Sequence, residues 1–338
     1  MIGHRGQDFK DLYAQIQPGL QSLFHTERLV YLSTSSAWGV MEGALRNLVR
    51  DRVLCCMCGA FSDKWLAVAE RCGKSATALQ VDWGSPIRAA AVDAQLASGN
   101  FDALTLVHNE TSTGTMSPLQ EIAALKGKYP EVMFIVDSVS SFSAVKIDFD
   151  ALGIDVLLAG TQKALALPPG LSVFACSDGA LQRSGQQKDR GYYFDFLEFQ
   201  KNAEQHMTPS TPSIAHVYAL QAKLMEISAE GLENRYARHR KLAEMTRDWA
   251  KRNEFSLFPE PGFESLTLTC VNNGARPEGR KVDVPRLLQL VREQGILIDG
   301  GYGKIKGKTF RLSSMGDESE ESMGRLYEAL DLALKKMN

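Results

Sequence analysis

Five short, continuous apolar runs constrain this 338-residue chain more than any other feature: Arg52–Met57, Ala103–His108, Val132–Val136, Ile154–Ala159 and Leu171–Ala175. Between most of them lie helical patterns, such as Pro118-Leu119-Gln120-Glu121-Ile122-Ala123-Ala124-Leu125-Lys126. A strand with one wet face alternates apolar and polar residues. An uninterrupted apolar strand is covered on both faces, and strands separated by helices return in the same direction. The pattern therefore predicts an α/β fold around a mostly parallel sheet, with ligands bound at the carboxyl ends of the strands.

From about Ser213 a long helical stretch runs through Gly231 to Arg252, strongly charged in its second half, and the pattern then changes. A strand at Ser265–Cys270, a helix from Pro285 to Glu293, a strand at Thr309–Leu312 and a last helix from Glu318 to Lys335 read as a smaller α+β unit. The expected division is a large domain over 1–235 and a small C-terminal domain over 236–338.

Hydrophobic residues make up 44% of the chain and charged ones 23%, enough to bury a large core. A formal net charge of −2 gives no broad positive field, which disfavours nucleic acid and anionic membranes as partners. Small molecules are the expected ligands. Of six cysteines, Cys55, Cys56 and Cys58 crowd one apolar segment. They lack a second Cys/His pair at ligand spacing, so they read as small buried hydrophobes and no metal site is expected. Reduced thiols, with no signal-peptide pattern and no apolar run of membrane-spanning length, lead to an expected cytoplasmic location.

Two strand ends carry the chemistry. The run Val132–Val136 ends in Asp137, and the run Ile154–Ala159 leads into Gly160-Thr161-Gln162-Lys163-Ala164, closed by Pro168-Pro169-Gly170. Alone, Asp137 reads as an N-cap or turn residue and Lys163 as a loop lysine. Together, past successive strands, they supply what a pyridoxal-phosphate enzyme needs: an amine for the Schiff base and a carboxylate for the pyridinium nitrogen. Four hydroxyl residues in succession, Ser33-Thr34-Ser35-Ser36, precede a helical pattern with Val40, Met41, Ala44, Leu45 and Leu48 on one face. A plain N-cap explains one of the four; hydroxyls and free N–H groups at a helix start also form an anion site. Gly301–Thr309 ends in Gly-Lys-Thr, yet its spacing and the strand that follows fail the nucleotide-binding motif.

On these residues, together with Asn109-Glu110-Thr111-Ser112-Thr113-Gly114, Thr208-Pro209-Ser210-Thr211-Pro212 and Phe310-Arg311-Leu312-Ser313-Ser314-Met315-Gly316, the chain resembles the class V aminotransferases of fold type I, closest to the serine–pyruvate and alanine–glyoxylate group. The resemblance implies pyridoxal 5'-phosphate as cofactor and transfer of an amino group between a small α-amino acid and a 2-oxo acid. It implies Lys163 as the Schiff-base lysine, Asp137 against the ring nitrogen, Val139 under the ring, Phe61 over its other face and Thr111 near the ring hydroxyl. Ser36, Ala37, Trp38 and Gln162 would form the phosphate cup, with Thr211 reaching it from the neighbouring subunit of a homodimer, and Arg311 would hold the substrate carboxylate.

Without the resemblance, Phe61 reads more readily as core packing and Thr211 as a loop former, and a surface ion pair is the favoured reading of Arg311. The chain departs from the family at Ser35, Ala37 and Trp38, where small residues are usual, and at Ser313-Ser314. The family also has an N-terminal arm ahead of the stretch matching Met1-Ile2-Gly3-His4-Arg5, so an arm lining the substrate site is expected to be missing. A same-fold lyase is the competing reading, but it would need a nucleophilic cysteine on a C-terminal loop and none follows Cys270. A catalytically impaired binding protein is the other, opposed by the presence of Lys163, Asp137 and Arg311 together.

Overall fold

The computed structural model describes residues 2–273 and 281–337. All five apolar runs become strands of one sheet. The strands in chain order are β1 (Tyr31–Ser33), β2 (Arg52–Met57), β3 (Ser75–Gln80), β4 (Ala103–Val107), β5 (Asn109–Glu110), β6 (Thr115–Met116), β7 (Met133–Asp137), β8 (Val156–Gly160), β9 (Ser172–Cys176), β10 (Ser256–Leu257), β11 (Leu268–Asn272) and β12 (Thr309–Ser313). The large sheet has seven strands in the order β1-β9-β8-β7-β4-β2-β3. The pairs from β8 to β3 are parallel, and β9 alone runs against its neighbours.

The runs are uninterrupted because every residue of β4, β7, β8 and β9 is buried, with helices covering the sheet. Sequence pattern does not reveal β1 or β3. The first is only three residues long, and β3 is an edge strand whose Ser-Ala-Thr-Ala-Leu-Gln residues are partly or fully exposed.

Gly231, at φ +81°, separates the helix Ile214–Glu230 from the helix Leu232–Arg252, because the chain there needs a conformation that residues with a Cβ adopt poorly. The first helix packs on the N-terminal helix Gln7–Phe24. The second sends Leu242, Trp249 and Ala250 into a separate hydrophobic cluster with β11, β12 and the helices Val284–Arg292 and Glu320–Met337. The strand expected at Ser265–Cys270 begins three residues later, at Leu268. Ser265 and Thr267 are used elsewhere: Ser265 N–H donates to the Gly114 carbonyl at 2.8 Å and Thr267 Oγ1 to the Ser140 carbonyl at 2.7 Å, tying the segment before β11 to the loops after β5 and β7. Among the described residues, no helix is long and apolar enough to cross a membrane.

Candidate active site

The parallel strands end on one edge of the sheet, and that edge carries the polar groups. β7 delivers Asp137, which is 7% exposed. Its Oδ1 accepts the Val139 N–H at 2.9 Å. Burial pushes this carboxyl up to about 6, opposed by that N–H and, more weakly, by the Lys163 ammonium.

Beside it, β8 opens into the loop holding Lys163. Thr161 fixes the loop by donating its hydroxyl to the carbonyls of Pro168 at 2.8 Å and Leu171 at 3.1 Å. The buried Arg235 guanidinium grips the Ala164 carbonyl, and Ala166 sits in the left-handed region at φ +53°. The Lys163 Nζ has no hydrogen-bond partner among the described residues. Burial, together with the nearby Arg311 cation, lowers its pKa, which favours the unprotonated amine needed for nucleophilic attack.

Two further elements close the pocket. The helix Ala37–Leu48 starts at Ser36, whose side chain makes no capping bond, which leaves its hydroxyl and the N–H groups of Ala37 and Trp38 uncommitted, while the Gly39 N–H donates to the Ser36 carbonyl at 3.0 Å. Across from it, the helix Ala60–Arg71 is clamped at its start by the buried Glu110. That carboxylate accepts the N–H groups of Phe61 at 3.3 Å and Ser62 at 2.8 Å, with Ser112 N–H at 3.1 Å and its hydroxyl at 2.7 Å. Gly59 is required by this approach: a Cβ there would lie 2.3 Å from Glu110 Cγ.

Ser36, Ala37, Trp38, Phe61, Thr111, Asp137, Val139, Gln162 and Lys163 all line one inner pocket. Arg311 lies in a larger adjoining cavity of about 820 Å³, which shares Phe61, Thr111, Gln162 and Lys163 with the first. Thr211 lines neither; it is exposed on the segment before the helix Ile214–Glu230.

Several residues of the site escape a reading of the sequence alone. Met41, Val107, Asn109 and Ser140 also line the inner pocket. Asn109 donates to the Ser140 carbonyl at 3.0 Å and to Thr267 Oγ1 at 2.8 Å, while its own Oδ1 is buried without a partner. The Thr111 and Ser140 hydroxyls are hydrogen-bonded to each other. Tyr302 stacks on Phe61 with ring centroids 5.3 Å apart and planes 19° apart, and its ring lies 5.8 Å from Arg311 Cζ. Arg311, on β12, donates Nη1 to the Thr111 carbonyl at 2.8 Å and pairs Nη2 with Asp299 Oδ2 at 2.6 Å.

These groups fit pyridoxal phosphate. The pocket offers an amine with no partner, a buried carboxylate awaiting a cation, an uncommitted hydroxyl with free N–H groups at a helix start, and an unpaired amide oxygen. The buried carboxylate can be tested without any ligand. Because Asp137 has its pKa raised by folding from 3.8 to about 6, its contribution to stability is fully present below about pH 4 and is lost as pH rises through 6. The lost amount is about 3 kcal/mol at about 1.4 per unit. Cofactor-free Asp137→Asn is therefore expected to gain stability over wild type between pH 4 and 7, read as a urea midpoint difference that grows with pH. A pH-independent difference would contradict this account of the burial.

The aminotransferase class-V family model matches residues 1–303. An aminotransferase of Methanocaldococcus jannaschii is 33% identical, over 100% of this chain and 88% of that one. The serine–glyoxylate aminotransferase of Methylorubrum extorquens is 31% identical, over 95% of this chain and 82% of its own. Among solved structures, an aspartate aminotransferase from Thermus thermophilus superposes with a TM-score of 0.90 at 29% identity, over 100% of this chain and 94% of its own. With the site geometry, these matches establish that the chain belongs to the class V family and is a pyridoxal-phosphate-dependent aminotransferase of fold type I.

Proposed function

We propose that the enzyme moves the amino group of a small α-amino acid, serine or alanine, to glyoxylate or pyruvate. The observation that carries this reading is the meeting of Lys163 and Asp137 in one pocket that opens onto Arg311. Ser36, the N–H groups of Ala37 and Trp38, and Gln162 would hold the phosphate; Val139 and Phe61 would enclose the ring, with Thr111 at its hydroxyl and Asp137 at its nitrogen. When bound, the cofactor withdraws electrons from the substrate α-carbon and stores the amino group between half-reactions.

The protein's own tasks are orientation and proton movement. Arg311 receives the α-carboxylate, which directs the α-carbon toward Lys163. Lys163, with its lowered pKa, takes a proton from that carbon and returns it on the cofactor side. A single carboxylate anchor suits small donors better than dicarboxylates, which call for a second cationic clamp.

This reading includes a homodimer in which Thr211 completes the partner's phosphate site, supported by the exposure of Thr211 in the single chain. It includes a cytoplasmic location, and a division into a cofactor-holding unit over 1–235 and a smaller unit over 236–338, supported by the two separate hydrophobic clusters. The test is a screen of amino donors against holoenzyme, following loss of the cofactor's visible absorbance and formation of the matching 2-oxo acid. Serine and alanine are expected to convert the cofactor fully. Release of a side chain or of sulfur instead of the amino group would show a lyase.

A further inference from the structure

Arg311 is already engaged by a carboxylate of its own chain. Asp299 lies on the segment that runs beside β12, held in register by Arg311 N–H donating to the Asp299 carbonyl at 2.7 Å. Its Oδ2 sits 2.6 Å from Arg311 Nη2. The Arg311 side chain is 10% exposed and that of Asp299 is 54% exposed, so the acid forms the open, cavity-facing side of the pair. Gly301, two residues on, has φ +83°, and a Cβ there would meet Thr309 Oγ1 at 2.6 Å, so this turn is tightly seated.

The remaining donors of Arg311 show what an incoming carboxylate meets. Nη1 is taken by the Thr111 carbonyl, and Nε is buried with no partner. The α-carboxylate that every donor carries therefore meets Arg311 at Nη2, on the side where Asp299 stands. The same cavity wall carries Asp317 and Glu318. Asp317 is paired with Lys223 at 2.7 Å and Glu318 accepts the Ser322 hydroxyl. Among the described residues lining this cavity, Lys163 and Arg311 are the only cations, and both have assigned tasks.

We propose that Asp299 is a specificity-determining residue, whose carboxylate on Arg311 excludes amino donors with an acidic side chain and leaves the site to small neutral ones. This rests on the transaminase reading above and adds the residue that sets its substrate class. The α-carboxylate common to all donors takes Arg311, so a donor's second carboxylate enters a cavity whose other charged lining residues, apart from Lys163, are Asp299, Asp317 and Glu318, with no free cation among them to receive it. Like charges in a partly enclosed site are expected to weaken binding about tenfold or more. A neutral methyl or hydroxymethyl side chain meets no such repulsion, and a hydroxyl finds an acceptor.

The experiment compares wild type with Asp299→Asn, which keeps the shape and removes the charge, and with Asp299→Ala. The enzymes carry pyridoxal phosphate, glyoxylate is the common acceptor, and alanine, serine and aspartate are the donors. In Asp299→Asn the kcat/KM ratio of aspartate to alanine is expected to rise at least about tenfold, through KM. An unchanged ratio, or equal weakening of all three donors, would mean that Asp299 only holds Arg311 in place and would overturn the proposal. Titrating wild type with propionate and succinate, which cannot react, keeps it decidable should the variants not fold: propionate is expected to bind more tightly, and succinate binding equally or better would overturn it. If wild-type enzyme transfers no amino group from any donor, the proposed function fails while these titrations still decide the role of Asp299.

Discussion

Sodium borohydride added to the holoenzyme is expected to fix the cofactor onto Lys163 and no other lysine, and Lys163→Ala to remove the labelling and nearly all turnover. The expectation follows from burial and neighbours. The loop places Nζ beside Asp137 and Arg311, unpartnered among the described residues and with its pKa lowered. Other lysines near the site are already engaged: Lys64 lies over the rings of Trp38, Phe61 and Tyr302 at 5.1 to 5.7 Å, and Lys223 is paired with Glu226 and Asp317. Because Lys163 would act both as nucleophile and in proton transfer, its loss is expected to reduce turnover by roughly 10⁴-fold or more, above the usual range for a single acid–base group. Peptide mapping of the reduced protein decides the first part, and a pyridoxyl group on any other lysine would remove Lys163 from its assigned role. Retained phosphate-dependent cofactor binding in Lys163→Ala, seen by equilibrium dialysis, would show that the helix start at Ser36 holds the ligand independently of the lysine.

What could be read from the sequence depended on whether a residue's environment was local or assembled from distant segments. β4, β7, β8 and β9 were legible because burial on both faces leaves no polar residue to interrupt them. Asp137 and Lys163 stood out because each directly follows such a run, so chain position and sheet edge coincide. Edge strand β3 shows no such signal, since one side of it has no neighbour strand and its residues stay partly exposed. Tyr302 and Asp299 were not legible as site residues. Their segment has no periodicity, and its position is fixed by backbone pairing with β12, by stacking of Tyr302 on Phe61 and by the ion pair to Arg311. The sequence reading favoured a surface ion pair for Arg311 without the family resemblance. The fold makes it a pair, yet one whose guanidinium is buried at the mouth of the cofactor pocket, which is where a substrate carboxylate would be received.

Asp137→Asn is expected to keep the pocket's shape and slow the amino-acid half-reaction by about 10² to 10⁴, equivalent to roughly 3 to 5 kcal/mol at about 1.4 per tenfold. The carboxylate is buried at the end of β7, where it lines the inner pocket, and burial raises its pKa to about 6. Such a group gains more than an exposed one from a cation set against it, because the interaction is poorly screened. Held against the ring nitrogen, it would keep a proton there and so maintain the positive charge that draws electrons from the substrate α-carbon. Asparagine can still hydrogen-bond but cannot supply the charge, so the ring nitrogen loses its proton near neutral pH. Rapid mixing of holoenzyme with alanine, following the visible absorbance in a single turnover, isolates this step from product release. The cofactor should remain bound, since the phosphate contacts and Lys163 are untouched, which separates a slow step from an empty site. Acidification should recover part of the rate in the variant by protonating the ring nitrogen from solvent. A single-turnover rate within about threefold of wild type at neutral pH would show that Asp137 does not control the ring charge and that another group must.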